Sequence, residues 1–329
     1  MKVIIPLAGF GTRLRPHTYS RPKPLINVAG KPVLGHLLDR LKGLPIDEYV
    51  FIVGYLGEQI EAYVREHYGD KPSRYFEQKE LNGQSPAIYL AREAIEGPVL
   101  ILFVDTIFET DLSFLADTEA EAIAFVKQVE DPRRFGVAVT DERGIVQRFV
   151  EKPDSMENKL AVIGMYYIRD SQALLEAIET QLREGLQTKG EYYLADAFQL
   201  MIERGTQFQV HEVDTWLDAG TAEAVLETNR LLLERGGNNI AGIKAEGFVI
   251  VPPVYIHPTA QIRNSVIGPY VSLGANCVVE NSIIRDSIIG EDSRVTNILL
   301  SGSLVGQHVD VQGRFRSINV GDSTTLHYE

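Results

Sequence analysis

The repeat in the C-terminal part of the chain constrains the fold more than any other feature. From about Ile256 onward, small apolar residues recur in steps of five or six, and glycine often follows them where the chain must turn a corner. A run of β-hairpins is the weaker alternative, because hairpins alternate with period two and rarely keep such a step. The spacing is the hexapeptide signature of a parallel β-helix, which we predict to be left-handed. The repeat positions are Ile256, Ile262, Ile267, Leu273, Val279, Ile284, Ile289, Val295, Leu300 and Val305.

Cys277, the single cysteine, falls on an inward position of this repeat. A lone cysteine excludes an intrachain disulfide and a cysteine-based metal cluster. We therefore expect a small, buried, apolar side chain there.

The chain before the repeat alternates short apolar runs with helical patterns, which is typical of a sheet covered by helices. This alternation predicts an α/β fold with a Rossmann-like, mixed and mainly parallel sheet. We predict one domain over residues 1–236, a linker over 237–247 and the β-helix over 248–329. The predicted strands are 3–7, 49–53, 74–77, 99–104, 123–129, 137–139, 145–150 and 162–168, and the later predicted helices are 86–95, 171–181, 193–203 and 221–235.

The N-terminal loop differs in charge from the rest of the protein. The chain has 45 acidic and 32 basic residues and a net charge of −13, yet Asp39 is the first acid. The loop after the first predicted strand contains Gly9 and Gly11, whose lack of a Cβ lets backbone N–H groups approach phosphate oxygens. The net charge argues against a nucleic-acid partner, so we expect a small anionic ligand. The basic residues before Asp39 are Lys2, Arg13, Arg15, Arg21, Lys23 and Lys31.

Known phosphate-binding motifs do not fit this loop. A dinucleotide fingerprint requires glycine where Leu14 stands, and two prolines, Pro16 and Pro22, delay the next helix. A P-loop is absent as well. These differences argue against a nicotinamide-dependent dehydrogenase and leave a basic, proline-stiffened loop suited to a polyphosphate. The chain also lacks a signal-peptide pattern and a long apolar run, so we expect a cytoplasmic protein with no membrane partner.

The stretch "LAGFGTRLRPHTYSRPKPLINVAGKPV" resembles the signature of the sugar nucleotidylyltransferases. Similar landmarks occur at "FVDTIF", "RFGVAV", "VEKP", "AVIGMYYI", "GEYYLADA" and "WLDAG". With a β-helix that ends in "INVGDST", the chain looks most like the long form of glucose-1-phosphate thymidylyltransferase. The resemblance implies a Mg²⁺-assisted reaction of a nucleoside triphosphate with a sugar 1-phosphate, which gives a nucleotide-sugar and pyrophosphate.

The resemblance also implies roles for individual residues. Arg13 and Lys23 would hold the triphosphate, Asp105 and Asp218 would bind Mg²⁺, and Lys152 would neutralise the sugar 1-phosphate; Arg13, Lys23, Lys152 and Asp105 form the implied catalytic set. Neighbouring strand residues point to opposite faces, so Glu151 and Lys152 can both bind the sugar phosphate only if the strand ends there. The implied nucleotide-binding residues are Ala8, Gly9, Gly11, Thr12, Gln78 and Gly83, and the implied sugar-phosphate-binding residues are Gly136, Glu151, Lys152 and Val162.

Two departures from the family pattern border the implied nucleotide site. Val104 stands where glycine is usual, and Gln84-Ser85-Pro86 replaces a more usual small-residue stretch. Base and sugar therefore stay open: dTTP or UTP with glucose 1-phosphate is favoured, and GTP with mannose 1-phosphate is the alternative. A regulatory relative that binds nucleotide-sugar without making it is another alternative.

The β-helix permits two functions. His257 and His308 could serve an acyltransferase, but the few coils leave little surface for a coenzyme. A stacked β-helix needs its ends and flat faces covered. We therefore expect a homo-oligomer in which the β-helix contributes to the interface.

Overall fold

The computed structural model describes residues 1–104, 106–240, 243 and 246–314. The chain forms two compact units. The first consists of Met1–Ile26 and Lys31–Val225, and the second combines Asn27–Gly30 with the described residues from Leu226 onward. The division between the two units, after Val225, thus comes earlier in the chain than the predicted domain boundary at Gly236. The predicted domain limits stay a prediction.

The first unit is built on a nine-stranded mixed sheet. Its path runs β8-β7-β9-β4-β1-β2-β3, and β6 pairs with β9 and with β10. Strands β4, β1, β2 and β3 are parallel, whereas β9 is antiparallel to β4, β6 and β7. The strands are β1 Lys2–Pro6, β2 Glu48–Val53, β3 Ser73–Glu77, β4 Val99–Leu102, β5 Thr106–Glu109, β6 Ala122–Gln128, β7 Gly136–Thr140, β8 Val146–Glu151, β9 Leu160–Ile168, β10 Phe208–Glu212 and β11 Thr215–Asp218.

Helices cover the sheet and bury its apolar strands. Ile4, Val50 and Ile101 on neighbouring parallel strands have no exposed surface, because they share one core with apolar residues of the helices that cover this face. The fold class predicted from the sequence is confirmed. The helices are α1 Val33–Arg40, α2 Gly57–Tyr68, α3 Gln84–Leu90, α4 Ser171–Glu184, α5 Leu194–Glu203 and α6 Ala222–Leu232, and α6 continues into a π-turn over Leu233–Gly237.

Strands β5 and β11 form a separate two-stranded antiparallel ribbon. Neither was predicted as a strand, and β10 was missed as well. Their sequences, "TIFE", "TWLD" and "FQVHE", are short and mix polar with apolar residues. Pairing with distant segments, and not local periodicity, creates β5 and β11. Strand β10 does alternate Phe208 and Val210 with polar residues, and this alternation was the local signal for it.

The second unit contains the predicted parallel β-helix, with three four-stranded parallel sheets stacked around one core. Its inward residues include Cys277, which is fully buried as expected. Asparagine and aspartate occupy many corners with positive φ, a conformation that these residues tolerate better than most. The sheets are Val249–Ile250, Val266–Ile267, Ile283–Arg285 and Leu299–Ser301; Val254–Ile256, Val271–Leu273, Ser287–Ile289 and Leu304–Val305; and Gln261–Arg263, Val278–Glu280, Arg294–Thr296 and Asp310–Gln312.

The short segment Asn27–Gly30 is held within the second unit by a buried asparagine. Asn229, with 0% of its surface exposed, accepts hydrogen bonds from Ala29 N (2.9 Å) and Ser272 Oγ (2.6 Å). Its Nδ2 donates to the carbonyl of Tyr270 at 3.2 Å. One side chain therefore joins this segment, the C-terminal half of α6 and a β-helix coil.

Within the described part of the chain, no helix is long and apolar enough to cross a bilayer. The motif "INVGDST" lies outside the described residues.

Candidate active site

The basic N-terminal loop begins where β1 ends and folds through short 3₁₀ turns. Gly11 adopts φ +60°, and a Cβ added there would come within 3.0 Å of both Lys23 Cβ and Thr18 Cγ2. Thr18 Oγ1 also donates a hydrogen bond to the Gly11 carbonyl at 2.9 Å. Glycine is therefore required both for the left-handed conformation and for the close approach of Lys23. Arg13 lies in the turn Thr12–Leu14, directly after this glycine.

A cavity of about 340 Å³, which we call the loop cavity, opens beside this loop. Ala8 and Gly9 line it, and a Cβ added at Gly9 would meet nothing within 4 Å, so the backbone there faces open space. The predicted residues Lys23, Gln78 and Gly83 line the same cavity. Gly11 and Thr12 do not line it and instead shape the turn. Its remaining lining residues are Pro6, Leu7, Pro24, Leu81, Gln84, Ala87, Phe103, Val104 and Glu191.

Gln78 and Gly83 form one connected structure in the loop cavity. Gln78 is buried, and its Nε2 donates to the Gly83 carbonyl at 3.4 Å. Gly83 has φ +122°, and an added Cβ would lie 2.5 Å from the Tyr192 carbonyl oxygen. The glycine therefore lets this turn dock closely against the segment that carries Glu191.

A second cavity of about 240 Å³, the strand cavity, lies over β7, β8, β9 and β11. The predicted residues Arg13, Gly136, Glu151, Val162 and Asp218 line it. Its other lining residues are Gln84, Phe103, Arg134, Phe135, Val137, Phe149, Val150, Ile163, Gly164, Tyr166, Ala195 and Trp216.

Arg13 and Asp218 approach each other around Gly220. A Cβ added at Gly220 would stand 2.8 Å from Asp218 Oδ1 and 2.9 Å from Arg13 Nη2. Asp218 ends β11, and its Oδ1 accepts a hydrogen bond from Gly220 N at 2.7 Å. A carboxylate and a guanidinium thus share one corner of the strand cavity, although they are far apart in sequence.

The second predicted metal ligand, Asp105, lies outside the described residues. Its chain neighbour Thr106 pairs with Asp218 in the β5–β11 ribbon. The described residues contain no group of three or more His, Cys, Asp or Glu side chains placed to hold a metal ion. Mg²⁺ does not need such a group, because it is usually held by one or two carboxylates together with substrate phosphates and water. Asp218, which faces a cavity beside a cation, fits that kind of site.

Glu151 and Lys152 satisfy the geometric condition set by the sequence. Strand β8 ends at Glu151, and Lys152 has φ +47°, so the alternation of the strand is broken between them. Lys152 Nζ lies 3.9 Å from Glu151 Oε1 and 5.7 Å from the centre of the Tyr193 ring. Lys152 does not itself line the strand cavity, but it stands beside the glutamate that does.

Burial raises the pKa of Glu151, while the positive charges of Lys152 and Lys189 act in the opposite direction. An added Cβ at Gly136 would lie 2.9 Å from Glu151 Oε2, so only glycine leaves the carboxylate its position. Glu151 is consequently a desolvated hydrogen-bond acceptor at the wall of the strand cavity.

Sequence reasoning missed the aromatic wall of the strand cavity. Phe135 and Trp216 meet edge to face at 4.8 Å, and Tyr166 also lines the cavity. Trp216 Nε1 is buried and has no hydrogen-bond partner among the described residues. Phe135 directly precedes Gly136 in "RFGVAV", and Trp216 lies two residues before Asp218 in "TWLDAG". These neighbouring aromatic residues were the signal from which the wall could have been predicted.

The sequence profile of the family described as Nucleotidyl transferase matches residues 2–235. The chain belongs to this family. The match confirms the prediction of a nucleotidyltransferase enzyme and agrees with the rejection of a dehydrogenase.

Relatives are similar over most of the chain. The bifunctional protein GlmU of Methanocaldococcus jannaschii is 32% identical over 94% of this chain and 78% of its own length. Glucose-1-phosphate thymidylyltransferase of Streptomyces griseus is 29% identical over 94% of this chain and 93% of its own. A solved structure from Bacillus anthracis, assigned as a glucose-1-phosphate thymidylyltransferase and bound to sucrose, matches with a TM-score of 0.60 at 26% identity. The match covers 70% of this chain and 94% of that one.

Other relatives are named for uridylyl and guanylyl transfer. The family is therefore common to all of these proteins, whereas the base and the sugar differ between their names.

Proposed function

We propose that the protein joins a nucleoside triphosphate to a sugar 1-phosphate and releases pyrophosphate. The observation that carries the proposal is the pair of adjoining cavities, one lined by Lys23 and Gln78 and the other by Arg13, Glu151 and Asp218. Two anionic substrates need two binding cavities and cations that offset their repulsion. The loop cavity suits the nucleotide, and the strand cavity suits the sugar phosphate.

The reaction needs positioning more than acid–base chemistry. An oxygen of the sugar phosphate attacks the α-phosphorus and forms a new P–O bond, while the bond to the bridging α–β oxygen breaks. Pyrophosphate leaves with that electron pair, and no proton has to reach the protein. Holding two polyanions in line and stabilising their charge supplies the rate enhancement.

Arg13 and Lys23 would act on the triphosphate. The planar guanidinium of Arg13 can bind two phosphate oxygens at once, and Lys23 adds a compact charge. Arg13 lines the strand cavity, whereas Lys23 lines the loop cavity together with the backbone at Ala8 and Gly9, which can approach phosphate oxygens closely. Together these groups would hold the β- and γ-phosphates and steady the departing pyrophosphate.

Mg²⁺, when bound, supplies positive charge to the phosphate oxygens. Asp105 and Asp218 would hold it, and the pairing of Thr106 with Asp218 supports this assignment. The hydrogen bond from Gly220 N keeps Asp218 oriented toward the strand cavity.

Glu151 and Lys152 would bind the two ends of the sugar phosphate. The carboxylate of Glu151 accepts hydrogen bonds from sugar hydroxyls in a desolvated position, which strengthens those bonds. Lys152 offsets the charge of the phosphate, and Gly136 and Val162 give the sugar ring room.

Gln78 would read the base, and we propose dTTP or UTP as the triphosphate and glucose 1-phosphate as the sugar phosphate. A side-chain amide can pair with the imide edge of a pyrimidine. Buried Val104, which lines the loop cavity, narrows it and favours the smaller base over guanine. GTP with mannose 1-phosphate is the alternative, and guanylyl transfer in a relative's name supports keeping it.

The test measures pyrophosphate release across a grid of dTTP, UTP, GTP and ATP against several sugar 1-phosphates, with Mg²⁺ or with EDTA. We expect turnover with a pyrimidine triphosphate and glucose 1-phosphate, and none with EDTA. Turnover restricted to GTP and mannose 1-phosphate would overturn the base assignment alone. A protein that binds nucleotide-sugar but never turns over would support a regulatory role and refute catalysis.

We also propose that the protein is a homo-oligomer held partly by the β-helix. One flat face exposes an apolar row, in which Val249 is 55%, Ile283 46% and Leu299 61% exposed. Pairing such a face with a second copy would bury it.

A further inference from the structure

Gln84 and Phe103 line both cavities, and among the described residues no other side chain does. They therefore form the wall where the two cavities meet. If the proposed function holds, the triphosphate and the sugar phosphate react at this wall. Phe103 offers only an apolar ring, so Gln84 is the wall's polar group.

The backbone of Gln84 is firmly anchored. The N–H groups of Gln84 and Ser85 both donate to the Tyr192 carbonyl, at 3.0 and 3.2 Å. Gln84 begins α3 directly after Gly83, whose φ of +122° allows the close approach to Tyr192. The side chain consequently starts from a fixed point at the cavity wall.

One hydrogen bond fixes the orientation of the amide. Gln84 Oε1 accepts from Leu194 N, the first residue of α5, at 3.2 Å. Since the oxygen faces that N–H, Nε2 carries its two hydrogens elsewhere. No described residue accepts a hydrogen bond from Gln84 Nε2, in contrast to Gln78, whose Nε2 donates to the Gly83 carbonyl. The wall thus offers an oriented donor with no acceptor among the described residues, between two cavities suited to anions.

We propose that Gln84 Nε2 donates a hydrogen bond to a non-bridging oxygen of the α-phosphate during transfer. This inference rests on the proposed function and adds a catalytic residue to it. Negative charge on these oxygens is reorganised as the sugar-phosphate oxygen bonds to phosphorus and pyrophosphate departs with its electron pair. A donor already in position stabilises that charge without reorganisation, and Gln84 itself gains or loses no atom.

Two substitutions separate this role from a purely structural one. Gln84→Glu keeps an acceptor for Leu194 N but removes the donor, whereas Gln84→Met removes both at similar length. A donor role predicts that kcat falls about 100-fold or more in Gln84→Glu, and that it also falls more than about threefold in Gln84→Met, which lacks the donor but adds no negative charge. A structural role predicts the reverse order, with Gln84→Glu close to the wild type. That reverse order would overturn the proposal.

Two further measurements keep the result interpretable. Lowering the pH protonates the new glutamate and restores a donor, so the kcat of Gln84→Glu relative to the wild type should rise; a flat ratio counts against the donor role. If Gln84→Glu fails to fold, Gln84→Met decides, and a kcat within threefold of the wild type refutes the inference. A wild-type protein inert with every substrate refutes the proposed function instead.

Discussion

Gly220→Ala tests whether Arg13 and Asp218 work as a closely fitted pair. The added Cβ would stand 2.8 Å from Asp218 Oδ1 and 2.9 Å from Arg13 Nη2. Ordinary contacts of a Cβ begin near 3.4 Å. Each group must therefore move by about half an ångström, and a misplacement of 1 Å near the reacting atoms can lower the rate about 100-fold. Because the displacement is about half of 1 Å, we expect kcat/KM to fall by about the square root of that factor, roughly 10-fold.

Stability should not follow activity in this variant. Gly220 does not have a positive φ, so alanine fits its backbone. The substitution restricts the unfolded chain and by itself stabilises the folded state by about 0.4–1 kcal/mol, which offsets part of the crowding. We therefore expect a thermal unfolding midpoint near that of the wild type alongside the loss of activity.

Gly97→Ala is the matched control for Gly220→Ala. Gly97 has φ +65° and nothing within 4 Å of an added Cβ. Alanine there is strained and destabilises the fold by about 1 kcal/mol, but it touches neither cavity. Kinetic constants of Gly97→Ala should equal those of the wild type. If Gly220→Ala keeps full kcat/KM, the close pairing of Arg13 and Asp218 has no catalytic importance and the reasoning fails.

Burial raises the pKa of Glu151 in the folded protein above its value in the unfolded chain. The folded state therefore loses stability as the pH rises through the raised pKa, and this loss is absent below the ordinary pKa of glutamate. Glu151→Gln should therefore be more stable than the wild type at neutral pH in thermal unfolding, yet raise KM for the sugar phosphate at least 10-fold; an unchanged KM contradicts sugar binding. Asn229→Ala leaves the buried Ala29 N–H and the Ser272 hydroxyl unpaired and should cost about 2–4 kcal/mol in chemical denaturation. Adding Ser272→Ala should then cost less than it does in the wild type, and strict additivity would show that the two residues are not coupled. Leu299→Glu should reduce the oligomer in sedimentation velocity with kcat intact, and an unchanged assembly would argue against the exposed apolar face as the interface.

The sequence predicted those helices and strands whose apolar residues recur with a clear local period. The predicted strand 3–7 and the predicted helix 193–203 lie within a residue of the observed elements, Lys2–Pro6 and Leu194–Glu203. Helix α4 continues to Glu184, beyond the predicted end at 181, because Gly185 in the left-handed region terminates it. The β-helix was predictable because apolar residues recur in steps of five or six along every coil.

Elements made by distant pairing were not predictable in this way. Strands β5 and β11 exist because each pairs with the other, and the register that sets Thr106 opposite Asp218 has no local signal. Helix α3 begins at Gln84, before the predicted start at 86, because the Tyr192 carbonyl accepts hydrogen bonds from its first two N–H groups. The same contact anchors the backbone of Gln84, so the residue at the wall between the cavities could be named from the sequence only as a departure from the family pattern.

Lys152 marks the point where the chain departs from its local preferences. A lysine at φ +47° is disfavoured by about 1–2 kcal/mol relative to an extended residue. Its N–H donates to the Phe135 carbonyl at 3.0 Å, which holds the strained conformation in place. A regular strand would have sent Lys152 and Glu151 to opposite faces, whereas the observed turn keeps their charged atoms 3.9 Å apart. The strain is therefore located where a sugar phosphate would need both an acceptor for its hydroxyls and a cation for its phosphate. Lys152→Gly would relieve this backbone strain, so it should raise the folding stability while it weakens sugar-phosphate binding. If the variant loses folding stability as well as binding, the strained turn serves the fold alone.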